Sequence, residues 1–140
     1  MAVLVSARGE VGKKKISASF NWSQPHEVLT LTGHTDEVTH SLYTPDGSRI
    51  ITLSKDHTAR IWDAESDKAM VTLKGHTGVV RCGVFIAGAK QMLTYADDRS
   101  IKVWDVENGR EISSTILPAT DDRIFSADFS PDGSLLALGM

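Results

Sequence analysis

Cysteine is nearly absent from this chain of 140 residues. Cys82 is the single one, so no disulfide can close within the chain. That sets it apart from small disulfide-stapled secreted domains and fits a reducing compartment. One cysteine also makes no Cys-x-x-Cys pair, and His26, His34, His40, His57 and His76 are scattered, so no zinc motif can be read from spacing. Neither sign of charge dominates: 15 Lys and Arg face 18 Asp and Glu, a net charge of −3. A phosphate-backbone binder carries a basic excess, so nucleic acid is not an expected partner. Long apolar runs are missing, which leaves no candidate membrane span. The first ten residues lack the basic region of a signal peptide. No segment shows helical periodicity, and no phosphate loop, dinucleotide fingerprint or nucleophile elbow occurs. The expectation is an intracellular, cytoplasmic protein, the nucleus being left open, with no cofactor and no bound metal.

What is present is a repeat. Gly33-His34 precedes Trp62-Asp63, and Gly75-His76 precedes Trp104-Asp105 with the same internal spacing. The two copies are offset by 42 residues (75 − 33 and 104 − 62). Between the markers run short segments of alternating apolar and polar residues with period two, the pattern of half-buried strands. Turn residues separate them. Pro45-Asp46-Gly47 presets one φ, supplies a side-chain acceptor and allows a positive φ. The second copy has the less rigid Ala87-Gly88-Ala89 there. Ser130-Pro131-Asp132-Gly133-Ser134 marks a third copy, with Ala119-Thr120 where Gly-His should stand. The N-terminal part begins with a strand-like apolar run, then a Gly- and Lys-rich stretch best read as a solvated turn. Residues 16–22 alternate as a strand again.

A period near forty residues that opens on Gly-His and closes on Trp-Asp resembles the WD-repeat β-propeller family. The resemblance covers residues 28–140. It implies an all-β fold, a partial propeller of about three blades of four-stranded antiparallel sheet. The expected division is a degenerate partial blade at 1–32, a first repeat at 33–74, a second at 75–118 and a truncated third at 119–140. In the family a buried hydrogen-bond network joins the Gly-His histidine, a hydroxyl, the turn aspartate and the tryptophan. The matching residues here are His34, Thr52, Asp56 and Trp62, then His76, Thr94, Asp98 and Trp104. The chemistry is consistent: indole N–H only donates, a hydroxyl does both, a carboxylate accepts. Thr120 and Leu138 occupy two of these positions in the third copy, so no such network is expected there. Trp22 is the remaining candidate relic in the N-terminal segment.

The set His34, Asp56 and Thr52 also spells the base, orienter and nucleophile of a hydrolase. Its repetition at equal spacing favours a structural network over an active site, and the chain is not expected to be an enzyme. A propeller-platform hydrolase and a fragment without independent function are the alternatives. Cys82 reads as a small buried hydrophobe.

The family resemblance implies a scaffold that holds protein or peptide partners on the top face of the ring. Carried over residue by residue, the candidate contacts are Glu37, Thr39 and Lys55. They continue with Val79, Arg81 and Asp97, then Arg123 and Phe125. A blade cannot bury its apolar faces alone, so three blades leave open faces and edges. The chain is therefore expected either to belong to a larger propeller or to associate with itself, with residues 124–129 as a candidate exchanged strand.

Overall fold

The computed structural model describes residues 2–7, 28–66, 68–119 and 126–140. Among these residues there are twelve strands and no helix. The first two are β1 (Ala2–Ala7) and β2 (Val28–His34). Then follow β3 (Val38–Tyr43), β4 (Arg49–Ser54), β5 (Thr58–Asp63) and β6 (Ala69–Lys74). The next four are β7 (Val80–Ile86), β8 (Gln91–Ala96), β9 (Ser100–Asp105) and β10 (Glu111–Ile116). The last two are β11 (Ser126–Phe129) and β12 (Leu136–Gly139).

The repeat becomes two four-stranded antiparallel meanders, β3-β4-β5-β6 and β7-β8-β9-β10. Short turns make this topology direct. At residues 44–49 the Gly47 N–H donates to the Thr44 carbonyl at 2.8 Å, and Gly47 takes φ 72°. At residues 87–89 all three residues have positive φ, 51°, 66° and 64°. L-residues avoid that region, so the two alanines make this turn strained as well as different in sequence.

Two further sheets have only two strands each. β11 and β12 pair antiparallel, Phe129 opposite Leu136. β1 and β2 pair in parallel, Ala2 opposite Val28 through Ser6 opposite Thr32. The parallel pair departs from the expected antiparallel blade. Parallel neighbours need a connection of a dozen residues or more, and residues 8–27 supply that length. The strand expected at 16–22 and Trp22 lie outside the described residues.

The sheets are layered, with a core in each gap. Ile51, Leu53, Ile61 and Leu73 of the first meander meet Val80, Met92, Trp104 and Val106 of the second. On the other side of the first meander, Ile50, Trp62 and Ala64 close on Leu31 of β2. On the far side of the second, Cys82 and Tyr95 pack with Phe129, Leu136 and Leu138. Strand β4 is covered on both faces: every residue from Ile50 to Ser54 is buried. Period-two alternation thus sends Ile51 and Leu53 one way and Ile50 and Thr52 the other.

Candidate functional site

Each meander contains one buried chain of polar side chains. In the first, Trp62 Nε1–H donates to Thr52 Oγ1 at 2.8 Å. Thr52 Oγ1 stands 2.6 Å from His34 Nε2, and His34 Nδ1 stands 2.7 Å from Asp56 Oδ2. Directionality settles the proton positions. The indole can only donate, so Thr52 accepts from it, and the ionised Asp56 can only accept, so it takes a proton from His34 Nδ1; in a neutral ring Nε2 is then left to accept the Thr52 proton. His34 therefore carries its proton on Nδ1 and donates it to Asp56. The second chain repeats this. Trp104 Nε1 donates to Thr94 at 2.7 Å, Thr94 lies 2.7 Å from His76 Nε2, and His76 Nδ1 lies 3.1 Å from Asp98 Oδ2.

Two partners in each chain were not singled out from sequence. Thr58 donates to Asp56 Oδ1 from its backbone at 3.0 Å and its hydroxyl at 2.6 Å. Ser100 does the same for Asp98 at 2.9 and 2.6 Å. The signal was available, because Asp-x-Thr and Asp-x-Ser recur at the repeat offset and a hydroxyl two residues after Asp suits an Asx turn. The backbone N–H of Thr35 and of Thr77 closes each carboxylate from the other side at 3.0 and 2.8 Å.

Burial pulls the imidazoles of both His34 and His76 below their ordinary value, although each faces a carboxylate. Burial thus favours the neutral ring, with Nδ1–H on the carboxylate and Nε2 accepting from the threonine. For Asp56, burial works to raise the carboxyl, but donation from Thr58, His34 and Thr35 outweighs it and holds the group at about 2. Asp98 is likewise held well below the usual carboxylate range against its burial by Ser100, Thr77 and His76. Gly33 and Gly75 begin each chain for a steric reason. A Cβ at Gly33 would stand 2.5 Å from the Arg60 guanidinium and 3.3 Å from the Trp62 ring, and one at Gly75 would stand 3.1 Å from the Trp104 ring.

These groups cannot act as a hydrolytic triad. Thr52 and Thr94 are fully buried, and each hydroxyl proton is committed to a histidine. A nucleophile has to reach its substrate. Among the described residues no group of three His, Cys, Asp or Glu side chains could hold a metal ion. Cys82 is 3% exposed, and burial pushes its thiol up to about 12, so it is inert as a nucleophile.

The candidate partner contacts gather where β4 and β8 end and the aspartate turns begin. The Lys55 N–H donates to the Glu37 carbonyl at 2.8 Å, and the Asp97 N–H to the Val79 carbonyl at 2.9 Å. Their charges are paired within each sheet. Lys55 Nζ meets Glu37 at 2.5 Å. Arg81 grips Asp97 with two bonds, Nε to Oδ1 at 2.8 Å and a terminal nitrogen to Oδ2 at 2.5 Å. Thr39 behaves differently from its neighbours. Its hydroxyl lies 2.7 Å from the Val80 carbonyl of the next sheet and 3.1 Å from the Leu53 carbonyl of its own. It is a stitch between sheets, and its hydroxyl proton is committed to those carbonyls. Arg123 and Phe125 lie outside the described residues.

The repeats match known proteins. Residues 25–63 and 67–105, more than half of the chain, match the family described as WD domain, G-beta repeat. Over 47 residues the chain is 36% identical to Periodic tryptophan protein 2 of Saccharomyces cerevisiae, a match covering 34% of this chain. The chain spans only 5% of the length of that relative. Two matched repeats, each closing on Trp-Asp and folded as a four-stranded meander with its own His-Thr-Trp-Asp chain, place this protein in the WD-repeat family.

Proposed function

We propose that the chain is part of a protein-interaction scaffold, and that partners bind the end of the sheets carrying Glu37, Lys55, Val79, Arg81 and Asp97. The observation that carries this reading is the pairing of like geometry with unlike charge. The two sheets present ion pairs at the same end, Glu37–Lys55 and Arg81–Asp97. Yet the turn position that is Lys55 in one repeat is Asp97 in the next. Rigid strands thus hold a patterned polar surface, which favours orientation and specificity in a partner. Exposed ion pairs contribute at most about 1 kcal/mol each, so a partner can exchange them at little cost. Arg81 has the residue type that tends to dominate interface energies.

A photo-crosslinking side chain placed at position 55 or 97 should capture a partner in cells, whereas one at exposed Glu65, in the turn after β5, should not. Equal capture at all three positions would remove the case for this face. Arg81→Ala should weaken capture while leaving the melting temperature within a degree or two, since its partner Asp97 stays solvated.

A second reading, self-association, is favoured by one contrast. β6 and β10 hold the same outermost position in their sheets. The turn around Gly109 lies against β6, and Leu73 there is buried. β10 is exposed along its whole length, including Ile112 at 51% and Ile116 at 70%. Glu111 is its one charged residue and is held by Lys102 at 2.8 Å, and a β-prone edge with so little free charge pairs readily with another chain.

A further inference from the structure

Arg60 and Lys102 hold the same place in the two repeats, 42 residues apart (102 − 60). Each stands two residues before its tryptophan, on the same face of the sheet. Lys102 is paired: its Nζ meets Glu111 Oε2 on β10 at 2.8 Å. That carboxylate lies over Gly75, 3.0 Å from where a Cβ would stand, beside the Trp104 ring. The residue equivalent to Glu111 in the first repeat (111 − 42) is Ala69, which is exposed and lies opposite Trp62. Arg60 therefore receives no acid from β6. It forms no ion pair among the described residues. Its Nε is buried with no hydrogen-bond partner. A buried N–H left unpaired is costly, so this guanidinium lacks an acceptor that the site would welcome.

The surroundings are basic and open. β2 and β6 contain no acid. Lys74, opposite Thr58, shares the face of Arg60. Asp63, the acid of β5, follows Trp62 and so faces the other way, and its Oδ1 accepts the Glu65 and Ser66 N–H groups at 2.9 Å. Asp56 is closed off by His34, Thr58 and Thr35. The guanidinium carbon lies over the Trp62 ring, 5.9 Å from its centroid, a stacking contact that limits how the group can turn. Thr32 and Gly33 of β2 and Ala69 of β6 are exposed.

We propose that Arg60 is a docking point for one carboxylate side chain of a protein partner. The carboxylate lies over Gly33, midway along β5, as Glu111 lies over Gly75. It completes in trans the ion pair that the second repeat makes within its own sheet. A planar guanidinium suits a carboxylate, and the same chain shows the pairing at Arg81 and Asp97. The two repeats thus differ in one respect: the first is open to an acid and the second already holds one. The site is separate from the face that carries Lys55 and Asp97 and stands or falls independently of it.

The probe is N-acetyl-glutamate amide, titrated into the isotope-labelled 140-residue chain at constant ionic strength. The Arg60 Nε–H and the indole N–H signals of Trp62 and Trp104 are followed by NMR. One ion pair is weak, so half-saturation is expected on the order of 10–100 mM. The Arg60 and Trp62 signals should shift and saturate, while Trp104 stays in place. N-acetyl-glutamine amide should leave all three unmoved at the same concentrations. Ala69→Glu supplies the acid within the sheet. It should move the Arg60 signal toward its bound position without any ligand, abolish the titration, and leave the unfolding midpoint equal or higher. The proposal is overturned if the two probes act alike, if neither shifts Arg60, or if Trp104 responds as Trp62 does. It is also overturned if folded Ala69→Glu binds the glutamate probe as the parent does. A larger response to inorganic phosphate than to the glutamate probe would assign the site to phosphate and overturn it as well.

Discussion

At the scale of single residues, stability hinges on one hydroxyl per sheet. Thr52 accepts from Trp62 and donates to His34 at a site with no access to water. Thr52→Val keeps the shape and removes both bonds. A buried polar group without a partner costs roughly 1–3 kcal/mol, so losing the pair should lower stability by about 2–4 kcal/mol in urea unfolding. Thr52→Ser should cost far less. Equal losses for both variants would mean that packing, not hydrogen bonding, is what Thr52 supplies. The same chain sets a pH dependence. His34 and His76 have folded values below 6.5, so just under that pH the unfolded chain binds protons that the folded chain refuses. Stability should therefore be full above about pH 6.5 and decline as pH falls below it. Asp56 adds a second loss as pH falls from its ordinary 3.8 through about 2. Unfolding midpoints at pH 7.5 and 5.5 test the first step: the midpoint should drop, and His76→Gln should flatten the slope. A flat profile in the parent chain would contradict the neutral-histidine reading. The identities of these residues were legible through the resemblance to WD repeats, whose His, Thr, Asp and Trp positions recur here at one offset. The use of Thr39 as a stitch between sheets was not, because the Val80 carbonyl that it meets belongs to another sheet.

At the scale of elements, the hairpins separate what is local from what is not. The turn at residues 44–49 was readable from Pro45, Asp46 and Gly47, since each acts on its own backbone. The middle hairpin read only as less rigid. The structure shows Ala87 and Ala89 held at φ 51° and 64°. A left-handed L-residue costs roughly 1–2 kcal/mol, and glycine returns part of that gain as unfolded-state entropy. Ala87→Gly should therefore stabilise the chain by about 0.5–1 kcal/mol, read as a higher urea midpoint. A lower midpoint would show that the turn is not strained at Ala87. Strand β1 was legible as a strand from its apolar run. Its parallel pairing with β2 was not, since register and direction depend on which edge is free.

At the scale of the whole molecule, the layers decide what remains exposed. Two complete meanders bury their cores against each other, while β10 and the outward face of the two-stranded β11–β12 sheet have no covering layer among the described residues. Light scattering on a sizing column should give a mass above one chain that rises with concentration, and Ile116→Lys should shift it toward the monomer. A single-chain mass for the parent at every concentration would refute this. The all-β class and the two meanders follow from residue order, because period-two alternation is a property of the residues themselves, while the four central members of each polar chain came through the resemblance to WD repeats and the outer donors, such as Thr58 and Ser100, only from the fold. Charge pairing was decided only on folding. Glu37 with Lys55, and Arg81 with Asp97, looked like free contacts until antiparallel strands brought residues sixteen or more apart within bonding distance.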